Sequence, residues 1–268
     1  MVSKLLSEAS KRLGNSDTPM LDARVLLAKA SNAEDSLLIF RDLTQEEKER
    51  FEEYISLREK GVPVSYITGE KEFMGYTFRL NKDTLIPRPD TECLVEAVLE
   101  SAKPHCRILD LCTGSGCIGI SLVKKIDGST AVLCDISQGA IEAARKNAEL
   151  LGVKECVKVD FLDVLTMDFG GKYDIITANP PYIETDILQT LEVSKFEPRL
   201  ALDGGKDGLC FYREIVKKAY NALNDGGILV FEIGYNQAEA VSELMCDYKN
   251  VAVKKDYAGN DRVVIGKK

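Results

Sequence analysis

The sequence predicts an α/β protein in which a small helical bundle precedes a doubly wound, mostly parallel sheet. Three observations predict this fold. Apolar residues with helical spacing occupy residues 1 to about 65. From residue 107 onward, short β-branched runs alternate with helical patterns, as in sheets covered by helices on both faces. A glycine-rich turn joins the first of these strands to a helix.

The first segment contains at least three predicted helices. The apolar residues with helical spacing are Leu5, Leu6, Ala9 and Leu13 in the first helix and, after Pro19, Leu21, Val25, Leu26 and Leu27 in the second. Thr44 and Glu47 have the spacing of a capping box and predict a third helix that ends at Gly61. We therefore expect a helical domain over residues 1–69.

The remainder of the chain predicts a short connection and then a sheet. Aromatic residues on both sides of Gly75 predict a β-hairpin, so that 70–83 forms a linker and 84–268 a second domain. Asp90 is expected to cap the helix that follows. Parallel strands are predicted near 107–111, 131–134, 156–159, 174–178 and 227–233, and a final pair at 251–254 and 262–265 is expected to supply an antiparallel end strand.

The glycine-rich turn is typical of a nucleotide-binding loop. Gly114, Gly116 and Gly119 satisfy the dinucleotide fingerprint, and Asp135 ends the next strand, where an acid binds ribose hydroxyls. Alone, this pattern favours NAD. However, Asp110 ends the strand and the first glycine comes four residues later, whereas a dinucleotide fingerprint begins at the strand end. A nucleoside-containing ligand is predicted, and its identity stays open at this point.

The segment Asn179-Pro180-Pro181-Tyr182 follows a buried β-branched run and predicts a binding site for a planar NH2 group. Neither proline can continue a strand, so the chain is held stiffly where the strand ends. The Asn179 side-chain oxygen and the Pro180 carbonyl are then two fixed hydrogen-bond acceptors, and Tyr182 is expected to lie against a flat substrate. An amide or a base amine has the two matching donors. The alternative is a Pro-Pro turn with a buried tyrosine.

Composition restricts the class of protein. A net charge of −8 does not favour a protein that holds long nucleic acid. No apolar run has the length of a membrane helix and no signal sequence is evident, so we expect a soluble cytoplasmic protein. The eight cysteines lack a C-x-x-C pair and are expected to be reduced, and no metal site is predicted. His105 precedes the first strand and is not expected to act as a base.

Taken together, these segments resemble the class I S-adenosylmethionine-dependent methyltransferases that modify planar NH2 groups. Among these, the chain resembles the release factor glutamine N5-methyltransferases, the PrmC/HemK family. The blocks that carry the resemblance are Tyr66–Phe73, Ile86–Glu92, Asn179–Tyr182, Glu197–Gly205, Phe231–Gly234 and Gly259–Arg262.

The resemblance implies a function and a site. A methyl group would pass from S-adenosylmethionine to the side-chain N5 of a glutamine, the Gln of a Gly-Gly-Gln motif, in class 1 peptide chain release factors. Residues 1–69 would dock this protein substrate, and no stable nucleic-acid or membrane partner is expected. The implied site residues are Cys112, Thr113, Gly114, Ser115 and Gly116 around the methionine part, Asp135 at the ribose, Phe161 over the adenine, and Asn179, Pro180, Pro181 and Tyr182 at the substrate. The family usually has glycine where this chain has Cys112.

Other functions compete with this one. A DNA or RNA adenine-N6 or cytosine-N4 methyltransferase would use the same asparagine segment on a flipped base, but should carry a basic target-recognition region. A dehydrogenase accounts for the glycines and Asp135 and leaves Asn179 unexplained. A module that only binds is the least favoured. The roles of Arg88, Arg199 and Glu232 stay open between site and structural ion pair.

Overall fold

A computed structural model describes residues 2–33, 35–40 and 42–268. The chain forms two compact units, Met1–Glu70 and Lys71–Lys268. The first has its own apolar core, and the second has a core on each face of its sheet. Within the described residues, no helix has both the length and the apolar character that crossing a bilayer requires.

The first unit is helical, as predicted. Its helices are α1 (Val2–Arg12), α2 (Pro19–Ser31), α3 (Gln45–Glu59) and α4 (Val64–Thr68), with a 3-10 segment at Asp35–Phe40. The predicted capping box is confirmed, because Glu47 N donates to Thr44 Oγ1 at 3.2 Å and Thr44 N donates to the Glu47 carboxylate at 2.8 Å. Residues such as Leu26 and Phe51 fill the core. The 3-10 segment and α4 were not predicted, because their apolar runs are too short to show a helical period.

A tight hairpin follows, formed by β1 (Glu70–Phe73) and β2 (Tyr76–Arg79). Met74 and Gly75 both have positive φ angles, 53° and 83°, as a two-residue hairpin turn requires. Phe73 and Phe78 are buried and pack edge to face, with ring centroids 6.2 Å apart. The predicted hairpin is therefore present, and its two phenylalanines belong to the core of the second unit.

The rest of the second unit is a seven-stranded sheet between two helical layers. The remaining elements are α5 (Pro89–Leu99), β3 (Arg107–Leu111), α6 (Cys117–Lys125), β4 (Thr130–Asp135), α7 (Gln138–Leu150), β5 (Val157–Phe161), β6 (Tyr173–Ala178), α8 (Thr185–Leu188), α9 (Cys210–Ala222), β7 (Leu223–Glu232), α10 (Ala238–Leu244), β8 (Lys249–Lys255) and β9 (Asp261–Lys267). The strand order is β5-β4-β3-β6-β7-β9-β8. Strands β3 to β7 are parallel and β9 is antiparallel to both neighbours. The predicted fold class is confirmed.

The sheet brings the ends of four strands to one edge. Leu111 pairs with Cys134 and with Ala178, and Ala178 pairs with Phe231. Because these strands are parallel, the segments that follow β3, β4, β6 and β7 all begin at the same edge. Helices α5, α6 and α7 cover one face and α9 and α10 the other. Ligands of such sheets bind at this edge.

Two local predictions were wrong. Asp90 does not cap α5, because Pro89 occupies the first helical position and Arg88 is therefore the N-cap, with no side-chain capping bond. Asp90 lies in the first turn instead, where a carboxylate interacts favourably with the helix dipole. Strand β7 begins at Leu223, before the predicted start at 227, because the glycines at 226 and 227 obscure the apolar pattern.

Helix α6 approaches the sheet so closely that position 119 has no room for a side chain. A Cβ on Gly119 would lie 3.0 Å from Leu133 Cγ and 3.1 Å from Asp110 Cβ. We predict that Gly119→Ala lowers the free energy of unfolding by about 1 to 3 kcal/mol, the usual cost of overpacking a core. Gly14→Ala is the control, since its Cβ would come no nearer than 3.7 Å to other atoms. Thermal unfolding measures both, and equal destabilisation would contradict the packing argument.

Candidate active site

A cavity of about 180 Å³ opens at the carboxyl edge of the sheet. Segments that follow β3, β4, β5 and β6 contribute to its wall, together with the loop before α5. The lining residues are Asp83, Leu85, Pro87, Thr91, Cys112, Thr113, Gly114, Ser115, Cys117, Ile118, Asp135, Ile136, Ser137, Leu162, Asp163, Val164, Leu165, Asn179, Pro181, Leu200, Ala201 and Phe211. The predicted glycine-rich loop and the predicted asparagine therefore share one cavity.

The loop between β3 and α6 winds through left-handed conformations. Cys112, Gly114 and Gly116 have φ angles of 54°, 56° and 82°. Thr113 N donates to the Cys134 carbonyl at 3.0 Å and Gly116 N to the Thr113 carbonyl at 2.9 Å, so the loop is bonded to β4 and to itself. Glycine adopts these angles without strain, whereas Cys112 does so at a steric cost.

Asp110 stands fully buried beneath this loop. Its carboxylate accepts hydrogen bonds from the Thr113 hydroxyl, from the Thr177 hydroxyl at 2.7 Å and from Gly119 N at 3.2 Å. Burial raises the pKa of Asp110 to about 6, and these hydrogen bonds oppose the rise. One carboxylate therefore holds the loop, strand β6 and the start of α6 together.

Asp135 ends β4 and lines the cavity. Its Oδ2 accepts from Gly114 N at 2.8 Å and its Oδ1 accepts from Ser137 N at 2.9 Å. Burial raises the pKa of Asp135, and hydrogen bonds from the backbone N–H groups of Ser137, Gly114 and Ile136 oppose the rise. Each carboxylate oxygen retains a lone pair, so the group can still accept from hydroxyl donors in the cavity.

Asn179 follows the last residue of β6 and presents a free acceptor. Its Nδ2 donates to Thr91 Oγ1 at 3.5 Å. Within the described residues, no protein group donates to Asn179 Oδ1 or to the Pro180 carbonyl. Both oxygens therefore have unused acceptor capacity.

The chain after Asn179 is fixed by a buried glutamine and by close packing. Gln237 Nε2 donates to the Tyr182 carbonyl at 3.0 Å and to the Gly208 carbonyl at 3.3 Å, while its Oε1 accepts from Gly234 N at 3.0 Å. A Cβ on Gly204 would lie only 2.7 Å from Tyr182 Cα. The asparagine segment is therefore held rigidly from behind.

Both arginines that the sequence left open form ion pairs. Arg88 contacts Glu197, which is almost fully buried and also accepts from Ile86 N at 3.0 Å. Arg199 pairs with Asp203 at 2.8 Å. The Arg88 pair joins the loop before α5 to the segment that carries Leu200, and both loops line the cavity.

Most of the predicted site residues line the cavity, but four do not. Cys112, Thr113, Gly114, Ser115, Asp135, Asn179 and Pro181 line the wall, whereas Gly116, Phe161, Pro180 and Tyr182 do not. After β5, Leu162 and Asp163 line the cavity, whereas Phe161 is 54% exposed and does not. In an extended chain, neighbouring side chains point to opposite sides. This alternation places Asn179 and Pro181 at the cavity, while Tyr182 packs against the core.

Sequence reasoning missed several lining residues. Thr91, Leu200 and Ala201 line the cavity and belong to two of the blocks that carry the family resemblance, Ile86–Glu92 and Glu197–Gly205. Those blocks were the signal that could have placed the three residues at the site. Asp163 and Phe211 lie outside any motif. Only the fold brings Phe211, on α9, to this wall.

Comparisons with known proteins agree with this geometry. A family model described as the PrmC N-terminal domain matches residues 4–69, and a methyltransferase small domain model matches residues 89–196. The release factor glutamine methyltransferase of Clostridium botulinum is 42% identical over 260 residues, which cover 92% of each chain. That of Moorella thermoacetica is 42% identical over 268 residues, 96% of this chain and 95% of the relative. The chain belongs to the release factor glutamine methyltransferase family.

Solved structures agree on the fold. A methyltransferase from Pyrococcus furiosus has a TM-score of 0.56 and 18% identity, with 74% of this chain and 91% of that chain covered. At this identity the likeness concerns the fold alone. The fold is thus the one expected for a member of the release factor glutamine methyltransferase family.

The methyltransferase domain identifies S-adenosylmethionine as the cofactor, and the charge of the cavity fits it. The acids in the wall are Asp83, Asp135 and Asp163, and the described lining residues include no lysine, arginine or histidine. A sulfonium carries positive charge and is attracted to such a wall, whereas a pyrophosphate would be repelled. The NAD interpretation of the glycine pattern therefore does not fit the cavity, and the dehydrogenase alternative is set aside.

Cys112 provides a test of the left-handed backbone conformation of the loop. Its φ of 54° is one that glycine adopts freely. We predict that the free energy of unfolding of Cys112→Gly differs from the wild-type value by no more than about 1 kcal/mol, because relief of backbone strain offsets the greater entropy of the unfolded chain. Its affinity for S-adenosylmethionine should be equal or higher in calorimetry. Cys112→Val is the contrast, since a β-branched residue is poorly tolerated at this angle. Weaker binding by the glycine variant than by the valine variant would contradict this interpretation.

Proposed function

We propose that the chain methylates the side-chain N5 of a glutamine in class 1 peptide chain release factors, the Gln of a Gly-Gly-Gln motif, with S-adenosylmethionine as donor. The observation that carries the proposal is the unpaired Oδ1 of Asn179 in a cavity whose charged wall residues are all acidic. The names of the relatives support the substrate class.

The proposal divides the wall between cofactor and substrate. When bound, S-adenosylmethionine supplies an electrophilic methyl group on a positively charged sulfur. The loop residues Cys112 to Ser115 would hold its methionine part and Asp135 its ribose hydroxyls. Leu162 and Asp163, rather than Phe161, would lie beside the adenine, because they line the cavity after β5.

The substrate amide is a weak nucleophile because its nitrogen lone pair is delocalised into the carbonyl. Asn179 Oδ1 and the Pro180 carbonyl would each accept a hydrogen bond from one of its N–H groups, and we call these two acceptors the amide clamp. Both interactions strengthen as the nitrogen becomes positive. Pro181 lines the cavity beside them. Tyr182 serves in this proposal as an anchor whose carbonyl is held by Gln237, not as a stacking partner. The nitrogen then loses a proton to solvent.

Selection of one glutamine requires surface beyond the cavity. A stable protein partner buries about 1,200 to 2,000 Å² in total, more than a cavity mouth supplies. In our proposal residues 1–69 provide docking surface, 70–83 connect, and 84–268 carry out the transfer. Helix α2 supports this division, since Met20, Leu21 and Val25 on it are 44%, 53% and 37% exposed. The net charge of −8 favours a protein over a nucleic acid as partner.

Asn179 and Asp135 should separate catalysis from cofactor binding. Asn179→Ala should leave the affinity for S-adenosylmethionine within several-fold but raise the barrier to methyl transfer by about 2 to 4 kcal/mol, because a preorganised acceptor is lost. Asp135→Ala should instead weaken cofactor binding by roughly 1.5 to 3 kcal/mol. Calorimetry and transfer of labelled methyl to a purified release factor measure the two effects.

Each variant is the control for the other. Wild-type turnover by Asn179→Ala would remove the basis of the amide clamp. Label that enters nucleic acid from a cell extract, with none in a release factor, would overturn the substrate assignment in favour of a base amino methyltransferase.

Leu21 tests the docking surface. We predict that Leu21→Glu slows methylation of an intact release factor roughly tenfold, the equivalent of about 1.4 kcal/mol of lost binding, and leaves methylation of a short glutamine peptide unchanged. Leu150→Glu is a matched control, because Leu150 is 54% exposed on α7 of the other unit. Equal rates of the two variants on the intact protein would show that this face of α2 is not the docking surface.

A further inference from the structure

A buried carboxyl group stands directly behind the proposed amide clamp. Glu232 is the last residue of β7 and is only 2% exposed. Ala178 pairs with Phe231 across the two strands, so the residues that follow them, Asn179 and Glu232, are neighbours at the sheet edge. Glu232 does not line the cavity and has no place in the chemistry described so far.

The hydrogen-bonding groups that face the Glu232 carboxyl are Thr91 and Asn179. Asn179 also donates from Nδ2 to Thr91 Oγ1. Within the described residues, Glu232 Oε2 is buried and has no hydrogen-bond partner. A carboxyl group with spare acceptor capacity thus adjoins the amide whose orientation the clamp depends on.

A side-chain amide can turn over and exchange its oxygen for its NH2 group. The clamp works only when Asn179 Oδ1 faces the substrate. The Thr91 hydroxyl cannot select this orientation, because it can donate as well as accept. An ionised carboxylate only accepts, so it favours the orientation with Nδ2 toward Glu232. A protonated carboxyl can also donate to Oδ1, so it no longer selects between the two orientations.

We propose that ionised Glu232 is a positioning residue for methyl transfer, holding the Asn179 amide with Oδ1 toward the substrate. This inference rests on the proposed function of the Asn179 clamp. It gives the enzyme a dependence on pH that arises behind the cavity, without contact between Glu232 and substrate or cofactor.

The surroundings of Glu232 set the pH range. Burial raises its pKa to about 7; Thr91, Arg262 and Asn179 lower it, and Asp90 raises it. The charged and titratable groups facing it are Asp90 on α5, Arg262 on β9, Tyr182 after β6, Cys117 on α6 and Tyr212 on α9. The selection of the active orientation is therefore present above about pH 7 and is lost below it.

Stability should change with pH in the opposite direction. The folded chain binds the Glu232 proton more tightly than the unfolded chain, whose pKa is near 4.5. This group's contribution to stability is thus fully present below about 4.5 and is lost as the pH rises through about 7. A fall in activity on acidification while the fold becomes no less stable distinguishes positioning from a structural role.

Glu232→Gln, Glu232→Asp and Thr91→Val test the inference in the full chain. Single-turnover methylation of a release factor is followed across the pH range that spans the Glu232 pKa. In the wild type the rate should rise with pH to a plateau. Glu232→Gln should lower the plateau by at least about twofold, because an amide both donates and accepts and no longer selects between the two orientations, and it should abolish the pH dependence, with unchanged cofactor affinity. Glu232→Asp should recover part of the rate and the pH dependence. Thr91→Val should lower the plateau rate less than Glu232→Gln does and should keep the pH dependence.

A second measurement does not depend on the substrate. The side-chain NH2 signals of Asn179 in NMR should titrate near pH 7 in the wild type and not in Glu232→Gln. Wild-type rates and pH dependence in Glu232→Gln, or an Asn179 signal that does not titrate in the wild type, would overturn the inference. Loss of activity together with lost cofactor binding and a lowered unfolding midpoint would also overturn it, in favour of a structural role. If the Asn179 signal titrates but no release factor is methylated, the proposed function fails and the positioning of Asn179 stands.

Discussion

The buried carboxylate of Asp110 is the interaction on which the arrangement of the site depends. It stands at the end of β3 and accepts from Thr113 in the cofactor loop, Thr177 in β6 and Gly119 at the start of α6. A buried carboxylate is stable only where hydrogen bonds replace the lost water. These three donors must therefore stay in place. Because Thr177 lies two residues before Asn179, the same group sets the distance between loop and clamp.

Charge then decides what this geometry can bind. Glycine-rich turns before a helix are shared by enzymes that bind dinucleotides and by those that bind S-adenosylmethionine, so the turn by itself does not separate them. Here Gly114 N is already bonded to Asp135, and the described wall offers acids without a basic residue. The Gly114 N–H group therefore holds Asp135, which can accept hydrogen bonds from hydroxyl groups, and this N–H group is not free to bind a phosphate.

Much of the fold could be predicted from the sequence, because the elements carry local signals. The capping box at Thr44, the hairpin around Gly75 and the β-branched runs of the parallel strands depend on neighbouring residues only. The N-cap at Arg88 was missed because Pro89 overrides the preference of Asp90. The 3-10 segment and α4 were missed because they are too short for a period to show.

The sequence predicted the location of the site better than it predicted which residues line the cavity. Strand ends identified the loops after β3, β4 and β6, since parallel strands bring their carboxyl ends to one edge. Which residues face the cavity depends on the course of the chain beyond the last strand residue. Local sequence does not show this course, so it could not separate Leu162 from Phe161 or Asn179 from Tyr182. Phe211 and Leu200 reach the wall from segments distant in sequence.

The two buried acids of the sheet edge show that this site costs the fold stability. Asp110 and Glu232 lie near the carboxyl ends of the strands on either side of β6, and burial raises the pKa of both. A raised carboxyl pKa means that the folded state holds the proton more tightly than the unfolded state, so each group's stabilising contribution is lost as the pH rises to neutrality. Apolar residues at these positions would avoid that loss. They would also remove the acceptors that hold the loop and face Asn179, so the sheet edge has a lower stability at neutral pH than its packing alone would allow.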